Sequence, residues 1–151
     1  NEDRKRQMAD KIIAGCGGSV DGKTIAVLGL TFKPNTDDMR DSPSLAIVPA
    51  LQEAGATVRA FDPQGMTEAK EMLPDVVFCK DAYETMKGAD ALTIVTEWNE
   101  FRLLDLERVK GLLSAPLMID LRNIYKPDEI IKAGFDYYSI GREPVLAGGG
   151  K

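Results

Sequence analysis

Three cations follow apolar, strand-like runs: Lys33 and Arg40 in the segment Gly29–Pro43, and Arg122 in Ile119-Asp120-Leu121-Arg122-Asn123. Together they offer the charge-assisted donors that a diphosphate needs, with about two charges to neutralise. Arg40 can clamp a phosphate in bidentate fashion, or it can pair with Asp37, Asp38 or Asp41 of its own loop; charge alone leaves these readings even. Lys33, set between Phe32 and Pro34, can approach a phosphate or a sugar hydroxyl as a compact point charge. A lone loop lysine is more often simply solvated. Asp62, in Phe61-Asp62-Pro63, stands where dinucleotide-binding domains place the acid that grips a ribose. Its interval from the first glycine is too long, and no G-x-G-x-x-G spacing occurs, so the preferred reading is a brace at the strand end. Glu97 can hydrogen-bond a ligand, but it lacks a base partner for catalysis, while Trp98 and Phe101 read as packing groups. No nucleophile with an activating base and no metal-ligand spacing is visible, so no catalytic residue is assigned.

Positioning these groups requires a regular scaffold. β-rich apolar runs at 24–28, 57–61, 76–79, 91–96, 117–121 and 137–140 alternate with helical stretches at 44–54, 67–72, 82–86, 106–113 and 128–132. Near-continuous apolar strands separated by helices predict an α/β fold, a doubly wound, mostly parallel Rossmann-like sheet with helices on both faces. Ligands then gather beyond the carboxyl ends of the strands, which is where all three cations fall. Ser42 and Pro43 read as N-cap and first residue of the helix after the long loop. Pro49 inside that helix should kink it or end its first half. A preceding helix spans Asn1 to Gly15, with Met8, Ile12 and Ile13 as a narrow stripe that its own chain would bury poorly. Gly148-Gly149-Gly150 reads as a flexible tail.

The 151 residues suffice for one well-buried core. With 24 Asp and Glu against 19 Lys and Arg, the net charge of −5 argues against nucleic acid as a partner. Histidine is absent, which removes imidazole bases and the commonest metal ligand. Cys16 and Cys79 match no metal spacing and read as reduced, structural thiols, in keeping with a cytoplasmic location. No run is long enough to span a membrane. The first residue is Asn1, from which removal of something upstream is expected.

The segment Gly29–Ser44, followed by Phe61-Asp62-Pro63, Thr96-Glu97-Trp98 and Asp120-Leu121-Arg122-Asn123, resembles the C-terminal domain of the UDP-glucose/GDP-mannose dehydrogenase family. The likeness runs from about Lys23 to Arg142, and its spacing is most like that of the bacterial UDP-glucose 6-dehydrogenases. The resemblance implies that residues 1–20 end a central helical dimerisation region and that residues 21–151 form a nucleotide-sugar-binding domain. It implies Phe32, Lys33 and Arg122 as substrate-binding residues for UDP-glucose, and Arg40 as a cofactor-binding residue reaching NAD across a domain cleft. NAD itself would be held mainly by an N-terminal domain of the same enzyme, and the full-length protein would be a homodimer. Members of the family oxidise UDP-glucose twice through a thioester on a catalytic cysteine. Neither Cys16 nor Cys79 lies in the required motif, so the chain alone is expected to be inactive. A dehydrogenase of GDP-mannose or of a UDP-N-acetylhexosamine, or a non-catalytic module binding partners through Trp98, Phe101 and the first helix, are the alternatives.

Overall fold

A computed structural model of the chain describes residues 2–146. The elements run α1 (Glu2–Gly15), β1 (Thr24–Leu28), α2 (Ser44–Glu53), β2 (Thr57–Phe61), α3 (Met66–Met72), β3 (Val77–Phe78) and α4 (Ala82–Met86). They continue with β4 (Ala91–Ile94), a 3-10 turn (Asn99–Leu103), α5 (Leu106–Leu112), β5 (Leu117–Asp120), α6 (Pro127–Lys132) and β6 (Asp136–Ser139). The strands form one parallel sheet in the order β3-β2-β1-β4-β5-β6. That order reverses between β1 and β4, and it is beyond the carboxyl ends at such a reversal that sheets of this kind receive ligands.

Alternation along β1 explains why both faces are covered. Ile25 and Val27 enter a core shared with α2 residues Ile47, Val48 and Leu51, while Ala26 and Leu28 enter the opposite core with Met86, Val109 and Ile130. On the outer edge, Tyr137 of β6 exchanges two backbone hydrogen bonds with Val145 (2.7 and 2.9 Å), which shields part of the exposed strand edge.

Two local expectations need correction. The first helix is better buried than its large residues imply: Ala9 and Ile12 are fully enclosed, and α1 packs on α2. The small Ala9 admits close approach, a contribution that a count of large apolar residues misses. Pro49 does not end α2, which continues to Glu53. Ile47, Val48 and Leu51 are buried on either side of the proline, and that burial outweighs a cost of about 3 kcal/mol. The glycine tail at 148–150 lies outside the described residues.

Candidate functional site

The long loop after β1 is pinned at its base. Ser42 and Ser44, both fully buried, each donate a hydroxyl to Leu30 O at 2.6 Å. α2 begins at Ser44 with Pro43 (φ −56°, ψ −27°) in the capping position, one residue later than the cap read from sequence, although Ser42 Oγ still accepts Ser44 N–H at 3.2 Å. Met39 anchors the loop in the core. Gly29, at φ +95°, stands against Thr96: a Cβ there would come within 2.5 Å of Thr96 N. Thr96 Oγ1 in turn donates to Thr31 O at 2.8 Å, so the ends of β1 and β4 are tied directly.

Asp62 is the centre of this end of the sheet. It is fully buried, and its Oδ2 accepts Leu30 N–H (2.7 Å), Thr31 N–H (3.1 Å) and the Trp98 indole N–H (3.1 Å). Oδ1 accepts Gln64 N–H (2.9 Å) and Gly65 N–H (2.8 Å). Thr31 Oγ1 lies 3.1 Å from Asp62 Oδ2 and 3.0 Å from Lys33 O. Its single proton serves one of them at a time. The strand-end brace expected of Asp62 is thus present. Trp98 and Phe101 are buried packing groups, as their sequence context indicates.

Phe32 remains 46% exposed, and Lys33 beside it is exposed as well. Phe32 N–H bonds Asp38 O at 2.8 Å, closing the outer part of the loop. Arg40 resolves to Asp38 among its three candidate partners, through Nε (3.1 Å) and Nη2 (3.2 Å), with its side chain 87% exposed. The Arg40 hydrogen bond holds the Asp38 carboxyl below its ordinary range. Arg40 lines a depression of about 490 Å³ with Glu68, Glu71 and Met72, so it faces α3.

Arg122 emerges at the end of β5 and donates from Nη2 to Glu97 Oε2 at 2.8 Å. Burial is the largest single influence on Glu97 and opposes its charge, but the Arg122 hydrogen bond, a backbone N–H and the charges of Arg122 and Arg102 together outweigh it and hold the carboxyl below its usual range. Glu97 Oε1 is buried without a hydrogen-bond partner. A second buried carboxylate, Asp120, shapes this turn: it accepts Arg122 N–H (3.0 Å), Ile124 N–H (2.8 Å), Tyr125 N–H (3.1 Å) and the Tyr137 hydroxyl (2.6 Å). Burial, then the bond to Asp120, pushes the Tyr137 hydroxyl well above its usual range. Asn123, left-handed at φ +55°, bonds Ile140 through both its amide atoms at 2.9 Å. Sequence reasoning passed over Asp120 and Asn123; the signal was the same Asp-plus-turn pattern that it used for Asp62.

The site is therefore an open shelf along the carboxyl ends of β1, β4 and β5, with Phe32 and Lys33 on one loop and Arg122 two strands away. A larger cleft of about 710 Å³ lies elsewhere, between Leu104–Glu107 and α6. Among the described residues, no cluster of three or more Cys, Asp or Glu side chains is placed to hold a metal ion. Cys79 is buried and Cys16 half-buried, both as free thiols. Burial pushes the Cys16 thiol up, with Lys23 opposing and Asp90 adding to the shift. No described helix is long and apolar enough to cross a membrane.

Residues 26–127, from β1 to the first residue of α6, match the UDP-glucose/GDP-mannose dehydrogenase family, UDP binding domain. The chain belongs to that family. Its UDP-binding domain carries the whole shelf just described, from Phe32 to Arg122. A UDP-glucose 6-dehydrogenase of Rhizobium meliloti is 57% identical over 142 residues, covering 94% of this chain and 32% of the relative. One from Bacillus subtilis is 43% identical over 150 residues, covering 99% of this chain and 34% of the relative. This member of the family thus spans about a third of the length of those relatives. Among solved structures, an NDP-N-acetyl-D-galactosaminuronic acid dehydrogenase from Methanosarcina mazei superposes with a TM-score of 0.82 at 30% identity, covering 95% of this chain and 30% of that one.

Proposed function

We propose that this chain is the UDP-sugar-binding domain of a UDP-glucose 6-dehydrogenase, which converts UDP-glucose, two NAD and water into UDP-glucuronate and two NADH. The observation that carries the reading is the pair of cations Lys33 and Arg122, which follow β1 and β5 on either side of the point where the strand order reverses, within a matched UDP-binding domain. Phe32 offers a ring face to the ligand, and Lys33 and Arg122 offer charge-assisted donors to its phosphates. Arg40 is the one group in this chain assigned to NAD. No glycine-rich turn follows β1, so a side-chain contact is what this domain can give that cofactor. The remaining NAD contacts and the thioester chemistry belong to an N-terminal domain of the same enzyme. Residues 1–20 are the end of a central helical dimerisation region and 21–151 the binding domain, in a homodimeric, cytoplasmic full-length protein.

Thermal-shift titration of the chain with UDP, UDP-glucose, GDP-mannose and NAD tests the proposal by mass action. UDP and UDP-glucose should raise the midpoint, with little effect of GDP-mannose or NAD. A chain indifferent to UDP and UDP-glucose would sink the reading. NAD reduction by the chain alone with UDP-glucose would show that the chemistry is not confined to another domain.

A further inference from the structure

We propose that Asp62 is a positioning residue for sugar-nucleotide binding, coupling the loop that bears Lys33 to the turn that holds Arg122. The inference rests on the reading of these loops as the UDP-sugar site.

Bracing its own turn would need only Oδ1, which holds Gln64 and Gly65 close by in sequence. Oδ2 is committed to groups more than thirty residues away: Leu30 N–H and Thr31 N–H on one side and the Trp98 indole on the other. The first two immediately precede Phe32 and Lys33. Trp98 immediately follows Glu97, whose Oε2 meets Arg122 at 2.8 Å. One buried oxygen therefore joins the lysine arm to the arginine arm. The close approach is built in from the other side as well. A Cβ on Gly65 would lie 2.4 Å from Thr31 Cγ2, so any larger residue there would push the Thr31 side chain from its place beside Asp62. A ligand bridging Lys33 and Arg122 needs their separation fixed beforehand, because ordering two independent arms on binding subtracts from affinity.

The chain contains one tryptophan, and it is the one bonded to Asp62. Its emission reports on the coupling. In the wild-type chain, UDP is expected to change Trp98 emission with the same midpoint that calorimetry gives for binding. Asp62→Asn must turn an NH2 group toward one set of N–H donors; we expect UDP to bind about tenfold more weakly and the emission change to be lost. Trp98→Phe keeps a ring but deletes the indole donor, and about fivefold weaker binding is expected. Thr31→Val, which removes one hydroxyl, provides a third variant should Asp62→Asn fail to fold, with a smaller loss of the same sign.

A purely structural role would lower the melting midpoints of these variants yet leave UDP affinity, measured well below those midpoints, unchanged. That result, or UDP binding by the wild type without any Trp98 response, overturns the proposal. A wild-type chain that does not bind UDP at all overturns instead the functional reading beneath it.

Discussion

Arg122, in the loop after β5, meets Glu97, in the loop after β4, through a single Nη2–Oε2 contact of 2.8 Å. The pair is partly exposed, at 35% and 26% for the two side chains, so screening limits its value to about 0.5–1 kcal/mol. Burial is the largest influence and raises the folded-state pKa of Glu97, yet Arg122, with a backbone N–H and Arg102 beside it, brings it below its ordinary 4.5. A depressed carboxylate stabilises the fold above its unfolded pKa and loses that contribution as pH falls through the folded one. Urea unfolding of wild type and Glu97→Gln should therefore differ at pH 7 and converge as the pH falls below 4.5 and through the folded-state pKa. A gap that persists undiminished in acid would remove the ion pair as its source.

Lys33→Ala and Arg122→Ala should each weaken UDP binding roughly tenfold, with a shallower salt dependence than wild type. Lys33 is exposed, so its removal should leave the melting midpoint unchanged. Arg122→Ala should lower the midpoint slightly, since it strands the partly buried Glu97. Calorimetry at two salt concentrations reads both effects, and undiminished affinity in the double variant would exclude these residues from the site.

Gly29→Ala should be costly, by about 2–4 kcal/mol, because left-handed strain adds to a clash with Thr96 backbone. Gly22, at φ +75° with open space around it, is the matched control. Its alanine variant should lose only about 1 kcal/mol. Equal losses in denaturant unfolding would mean that contact with Thr96 is not what demands glycine at position 29.

Ile12→Ala should destabilise the chain by about 2–4 kcal/mol, since the side chain is fully enclosed where α1 meets the core. A loss below about 0.5 kcal/mol would show that α1 is a loosely attached appendage.

The scaffold was legible wherever one residue's neighbours in sequence decide its environment. Thr24–Leu28 and Thr57–Phe61 have the strand bounds expected of their β-branched, apolar runs. The later strands stop earlier than their apolar runs, because the chain leaves the sheet to build loops: Val95 and Thr96 are buried as firmly as β4 yet lie past its end at Ile94. Burial at Asp62 was legible in kind but not in extent, since its donors come from residues 30, 31, 64, 65 and 98. Arg40 offered three nearby acids, and only the loop's three-dimensional path selects Asp38. The Arg122–Glu97 contact joins positions 25 residues apart, which no local pattern encodes. Ala9 was overlooked because its value lies in the space it does not fill.

In a dinucleotide-binding domain, the backbone N–H groups of the first turn await a pyrophosphate. In this chain the equivalent amides, those of Leu30 and Thr31, already have an anion, and it is Asp62. The guest is covalently attached, so its local concentration never falls, however much free nucleotide surrounds the protein. A diffusing pyrophosphate cannot compete for that turn on equal terms. The turn that elsewhere receives phosphate on its main chain is here self-occupied at Leu30 and Thr31, so these two amides have nothing left to offer one.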